Sequence, residues 1–357
     1  MRKFRSVIVL CLVAVMGISL FGCGAGSTET EPTQSATEKP TQSGKTGAPN
    51  ATPKPEKTYD AAVHQLAVTD ALMMSYVIET KNDKVIVIDG GGESNSGTHN
   101  GVKYPKKEID NLLEVLRDIN GEEVPTIDAW ILTHCHSDHV NVFSHLINNM
   151  PGTVNVKKVY YNNPSEAYLY QYGGFDKNDS ENTLEKFKRA VSKLSEDQIV
   201  TVQKGDSYTV DNVTFNIILT PDEKNAGLIS NAVNESSIVF DMKLGGQRVL
   251  FLGDLGPLSG ARFIRAMKDT GSTDVDVVQL GHHGSQGLPM SYYWTIRPEA
   301  CLWATPTWLW NNDNGDGYDT GPWETIDIHT FLTKKGVKHH YVMKDGYIKL
   351  EFPLDLS

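Results

Sequence analysis

Short apolar runs alternate along this chain with stretches whose apolar residues recur every three or four positions. Residues 61–68, 72–80 and 85–89 read as three successive strands, with Lys81-Asn82-Asp83-Lys84 as a turn. Ile109, Leu112, Leu113, Leu116 and Ile119 have helical spacing. Residues 127–132 are apolar and read as a buried strand, and a helix runs from 140 to 150. Residues 156–161 form the next strand, 184–194 an amphipathic helix, and 199–202, 208–210 and 213–219 further strands. Residues 237–244 and 248–252 make a hairpin around Gly245-Gly246, followed by a helix at 258–267 and a strand at 275–280. Late strands at 300–304, 338–343 and 347–352 enclose a helix at 323–334. Strands lead each half and helices interleave, which two packed sheets with outer helices satisfy. No fixed-period repeat is present.

The first 58 residues break this pattern. Arg2, Lys3 and Arg5 precede an apolar run at 7–20, too short for a comfortable membrane span, so 1–22 reads as a leader. It ends in Leu20-Phe21-Gly22-Cys23, which resembles a bacterial lipobox. That resemblance implies cleavage before Cys23 and lipid attachment to its sulfur, giving an extracytoplasmic protein anchored to the cell membrane. Residues 24–58 contain no large apolar residue and cannot bury a core, so 23–58 reads as a tether. Residues 59–357 are then the folded domain. With the leader gone, 30 Lys and Arg face 44 Asp and Glu, a net charge of −14. Such acidity repels phosphate backbones and counts against nucleic-acid partners. Cys135 and Cys301 remain, too few for a disulfide framework.

Against this frame stands Thr133-His134-Cys135-His136-Ser137-Asp138-His139. Imidazole and carboxylate are ligands that zinc, manganese and iron accept. The motif follows a strand, where open α/β sheets place their sites. In extended chain, positions i and i+2 point the same way, so His134 and His136 can share one metal while Cys135 points away. Asp138 and His139 follow the turn of the chain and can face a second metal. Asp254 and the pair His282/His283 also lie just past apolar strands.

In this order, the segments Val85-Ile86-Val87-Ile88-Asp89-Gly90-Gly91, His134 to His139, Asn234-Glu235-Ser236-Ser237, Phe251-Leu252-Gly253-Asp254 and Gly281-His282-His283-Gly284-Ser285 resemble the metallo-β-lactamase superfamily, more narrowly its ComEC-type branch. Asp70-Ala71 adds to the match. The resemblance implies an αββα sandwich and two divalent ions, zinc first, with manganese or iron as alternatives. His134 and His136 would hold metal one. Asp138 and His139 would hold metal two, and Asp254 would bridge. One of His282 and His283 would complete metal two and the other would meet the substrate phosphate. We assign His282 to the metal and His283, with Asp138, to proton handling, though sequence leaves that choice open. Asp89 would orient the histidines from behind; it equally suits a strand-end carboxylate capping the glycine turn. The third histidine usual for metal one is missing, and Asn234 or Glu235 stands near its place.

Five of the six tryptophans fall between 294 and 323. Trp308 and Trp310 open a polar, glycine-rich stretch that reads as a loop, and aromatic rings there could stack on a sugar or enclose a quaternary ammonium. That layout resembles surface phosphorylcholine esterases; core packing of the same rings is an equal reading. Asp313, Asp316 and Asp319 lack the rest of a calcium loop. The leading expectation is a surface-anchored, metal-dependent hydrolase of small-molecule or envelope phosphoesters, most of all phosphodiesters. A ComEC-like nuclease, a β-lactamase and a non-enzymatic binding protein on the same fold are the alternatives. An aspartate rather than a cysteine at the bridge favours binuclear phosphoester hydrolysis over β-lactam cleavage.

Overall fold

The computed structural model describes residues 56–66, 71–92, 97–99, 102–224 and 231–357. The leader, Cys23, Asp70 and the tether up to residue 55 lie outside the described residues. In chain order the first half comprises β1 (Ala61–Gln65), β2 (Ser75–Thr80), β3 (Val85–Asp89), β4 (Gly97–His99), β5 (Val102–Tyr104), α1 (Lys106–Asn120), β6 (Thr126–Ile127), β7 (Ala129–Ile131), α2 (Ser137–Asn149), β8 (Asn155–Val156), β9 (Val159–Tyr161), α3 (Glu166–Tyr172), α4 (Thr183–Val191), β10 (Ile199–Thr201), β11 (Ser207–Val210) and β12 (Val213–Leu219). The second half adds β13 (Val239–Leu244), β14 (Gln247–Phe251), α5 (Gly260–Asp269), β15 (Val277–Gln279), α6 (Met290–Ile296), β16 (Ala300–Trp303), α7 (Thr307–Trp310), α8 (Thr325–Lys334), β17 (His339–Val342) and β18 (Ile348–Phe352).

Two seven-stranded sheets result, ordered β10-β9-β7-β3-β2-β1-β18 and β11-β12-β13-β14-β15-β16-β17. Both are mixed. In the first, β3, β7, β9 and β10 run parallel while β18, β1, β2 and β3 alternate in direction. In the second, β11 to β14 are antiparallel and β14 to β17 parallel.

Side-chain alternation explains the layering. In β3, Ile86 and Ile88 face the space between the sheets, whereas Val85 and Val87 face α1 and α2. In β14, Val249 and Phe251 face inward and Leu250 outward, beside Phe263 and Met267 of α5. Strands buried on both faces therefore read as continuous apolar runs. The αββα sandwich expected from the sequence is what forms.

Some elements differ from expectation. The run at 127–132 is broken at Asp128, whose carboxylate accepts from Val85 N at 3.0 Å and from Lys157 Nζ at 2.7 Å. These side-chain bonds replace a ladder position, so β6 pairs with β8 while β7 stays in the large sheet. The helices α3 and α6, and the β4–β5 hairpin, carry no clean periodicity and were not expected. The stretch after Pro306 is one helical turn, α7, before it becomes loop. The tether also ends sooner than composition suggests: Lys57 Nζ donates to Thr80 O at 2.7 Å and pairs with Glu79 Oε1 at 2.8 Å.

Candidate metal centre

The histidine motif and both outlying segments follow parallel strands at their carboxyl ends. Asp89 ends β3, the motif follows β7, Asp254 follows β14 and His283 follows β15. The sheets are laced together at this end. Thr133 O accepts from Ile238 N at 2.9 Å across them, and within the second sheet Ser237 Oγ accepts from Asp254 N at 3.0 Å. Gly92 allows the close approach of α2: a Cβ there would lie 2.8 Å from the Asp138 Cα. Asp138 and His139 are thereby set in the first turn of α2 against the end of β3.

Two groups of potential ligand atoms result. Asp138, His139, Asp254 and His283 form one, and His134, His136 and Asp254 the other, with the ligand atoms of each group within 4.8 Å of one another. Asp254 belongs to both. Its Oδ2 lies 3.2 Å from His139 Nε2, 3.6 Å from His283 Nε2 and 3.7 Å from His134 Nε2. Asp138 Oδ2 is 3.1 Å from His283 Nε2.

The nitrogens not turned inward are held from behind. His139 Nδ1 lies 2.6 Å from Asp89 Oδ2, and Asp89 also accepts from Thr133 N at 2.7 Å and Thr133 Oγ1 at 2.8 Å. His283 Nδ1 donates to Ala304 O at 2.9 Å. His136 turns its Nδ1 inward instead, 3.2 Å from His134 Nε2. Asp89 is fully buried behind His139. Cys135 points away into the core under α1 and α2, as i, i+2 alternation requires.

The donor set fits divalent ions. His139 Nε2 and Asp254 Oδ1 are buried and lack a hydrogen bond among the described residues; the 3.2 Å approach of His139 to Asp254 falls outside hydrogen-bonding geometry. Buried polar atoms without partners are costly unless something else occupies them. Imidazole and carboxylate oxygen in this mixture suit zinc, manganese or iron. Electrostatics agree. Burial opposes charge on His139, yet Asp254, Asp89 and Asp138 together hold its pKa well above the usual imidazole value. Burial likewise opposes ionisation of Asp254, but His139 and His283 hold it well below the carboxylate range. For His134, burial and then the charge of His139 push the pKa well down. Burial also opposes ionisation of Asp138, but His139 and His283 hold it below the carboxylate range, so Asp254 and Asp138 stay ionised beside imidazoles that differ sharply in basicity.

Residues 111–287 match the beta-lactamase superfamily domain. The fold is that of metallo-β-lactamases. Among solved structures, the metallo-beta-lactamase fold protein YhfI from Bacillus subtilis is 9% identical, with 82% of this chain and 99% of that one covered and a TM-score of 0.45. CmlA, a diiron beta-hydroxylase from Streptomyces venezuelae, is 14% identical at a TM-score of 0.49, with 84% of this chain covered and 55% of CmlA. A diphosphatase from the PhnP family is 14% identical at a TM-score of 0.42, covering 83% of this chain and 100% of that one. No curated protein matches the sequence.

Three assignments change with the geometry. His283, not His282, joins the ligand group. Both residues have left-handed backbones, φ 51° and 56°, and the Ala304 carbonyl at the end of β16 turns the His283 ring inward. That carbonyl could not be read from sequence. His282 is left half-buried outside both groups. Trp310 does not reach the centre: its ring packs on Trp303 at 5.2 Å and His329 at 4.7 Å between centroids. Trp308 pairs edge-on with Trp323 at 4.8 Å and remains half-buried. Glu235 is also otherwise engaged, accepting from Leu258 N at 2.9 Å and Ser259 N at 2.7 Å ahead of α5. Asn234 is buried on the segment pinned to Thr133, and its side-chain oxygen has no hydrogen bond among the described residues. Sequence reasoning gave no role to Thr133 or Ser237, though both flank motif residues.

Proposed function

We propose that this protein is a metal-dependent hydrolase of phosphoesters, phosphodiesters foremost, held at the outer face of a cell membrane through Cys23. The observation that carries the reading is the position of Asp254, a buried carboxylate common to two donor groups with one oxygen left over. Such a carboxylate suits a pair of ions a few ångströms apart. His134 and His136 would hold one ion, and Asp138, His139 and His283 the other, with zinc as the first candidate. When bound, the ions would lower the pKa of water and screen the charge of the phosphoryl oxygens. Asp138, on the rim of the second group, would accept a proton. His282, outside both groups and partly exposed, would meet the substrate phosphate and return a proton to the leaving oxygen. Asn234 would lend an amide oxygen to the first ion. Trp308 and Trp323 would offer ring faces to a leaving group beyond the phosphate.

The test is a substrate panel run on metal-stripped protein reloaded with zinc or manganese: an aryl phosphodiester, an aryl phosphomonoester, DNA and a cephalosporin. Turnover of the diester well above the others is expected. Turnover confined to DNA or cephalosporin would replace the reading, and no turnover on any with two ions bound would favour a binding protein. For the anchor, Cys23→Ala should shift the protein out of the membrane fraction or leave the leader uncleaved. Unchanged processing and partition would remove the anchor.

A further inference from the structure

One hydroxyl touches both halves of the centre. Thr133 is completely buried, as is Asp89, and His134 is nearly so. Thr133 Oγ1 lies 2.8 Å from Asp89 Oδ2 and 3.1 Å from His134 Nδ1. Asp89 Oδ2 is in turn 2.6 Å from His139 Nδ1.

Proton accounting fixes the direction of each bond. As a carboxylate, Asp89 only accepts, so Thr133 donates its single hydroxyl hydrogen to Asp89 and His139 donates Nδ1–H. Thr133 then has only lone pairs to offer His134, whose Nδ1 must carry the hydrogen. In the neutral ring that an ion requires, each imidazole thereby keeps its hydrogen on Nδ1 and offers Nε2, and both Nε2 atoms lie toward Asp254, at 3.7 Å for His134 and 3.2 Å for His139. His134 belongs to the first donor group and His139 to the second.

We propose that Thr133 is a positioning residue that extends the influence of Asp89 to the first ion, so that one buried carboxylate sets the tautomer of a ligand in each half of the centre. The inference rests on the two-ion reading above. It predicts an asymmetry. Without the hydroxyl, His139 keeps Asp89, whereas His134 loses the acceptor for Nδ1–H and can turn a protonated Nε2 toward the ion. The first ion should loosen and the second should not. Loss of an outer hydrogen-bond partner typically weakens metal affinity about 10–100-fold.

The experiment titrates metal-stripped protein with zinc against a chromophoric chelator, for wild type, Thr133→Val and Thr133→Ser. Valine keeps the shape and removes the hydroxyl; serine keeps the hydroxyl and removes the methyl. Wild type should take two equivalents. Thr133→Val should keep one near wild-type affinity and weaken the other by about 10–100-fold, and Thr133→Ser should recover it. Two wild-type affinities in Thr133→Val, equal weakening of both, or no recovery with serine would each overturn the proposal. Independently of any variant, imidazole nitrogen shifts in the zinc-loaded wild type should show His134 protonated at Nδ1; protonation at Nε2 would overturn it. A wild type that takes both ions yet cleaves no phosphodiester would defeat the proposed function and leave this inference standing. A wild type that takes only one ion would end both.

Discussion

His136 and Asp254 test the site at the level of the single side chain. His136 belongs to one donor group alone, whereas Asp254 belongs to both. Replacing His136 with Ala or Asp254 with Asn should cost several orders of magnitude in phosphodiester turnover while far-ultraviolet circular dichroism stays the same. Zinc titration should separate them, with one equivalent lost in the first variant and both weakened in the second. Near-normal turnover in either would mean that the centre is misassigned. The residues that define this centre were legible because ligand chemistry is written in residue type: three histidines and an aspartate within six positions have few other uses. What could not be read was which of two adjacent histidines faces inward. That depends on the carbonyl of Ala304, from a strand that reaches the site only after folding.

Among the elements, the turn after β15 carries the most constraint. His282, His283 and Gly284 all have positive φ, the last at 79°, and a Cβ on Gly284 would run into the Trp303 ring. Gly284→Ala should destabilise the protein by about 1–3 kcal/mol, from left-handed strain and the ring contact together. The same change should displace His283 and weaken zinc binding, measurable by thermal melts and chelator competition on one sample. A variant that melts and binds like wild type would show that the turn relaxes freely. Element prediction worked best where burial on two faces leaves a long apolar run, as in β3 and β14. It failed where tertiary contacts override pattern. Asp128 breaks a strand by taking over a backbone partner, and α6 presents aromatic residues without a repeating stripe because its stabilisation comes from packing on α8 and the outer core.

At the scale of the whole molecule, the two ends of the first sheet are chemically distinct. Far from the metal centre, Glu79 is buried beside His64 Nε2 at 3.0 Å, Lys57 Nζ at 2.8 Å and Lys349 Nζ at 3.3 Å. Burial raises its pKa, but His64, Lys57 and Lys349 outweigh that and hold it well below the carboxylate range. A depressed folded-state pKa gives stability that is present above the unfolded value near 4.3 and lost as pH falls through the folded one. Acid melts of wild type should show that loss, and Glu79→Gln should be less stable at neutral pH with a flatter acid limb. An unchanged acid limb would show that the cluster contributes nothing on folding. Stripping the metal should lower the melting temperature, and added zinc should raise it in a concentration-dependent way, as a ligand of the native state must. A melting temperature indifferent to zinc would mean that the folded chain holds no ion.

Both donor groups include Asp254, which follows a strand of the second sheet, as does His283, whereas His134, His136, Asp138 and His139 follow a strand of the first. A chain still on the ribosome with only β1 to β10 made would carry four of the imidazoles and carboxylates but no finished seat for an ion. Loading of the proposed ions would therefore be deferred until synthesis has passed His283 and the sheets have met. On the proposed two-ion reading, an incomplete or misfolded copy would be a poor scavenger of a scarce divalent ion, and the metal would go to copies that have already reached the native arrangement.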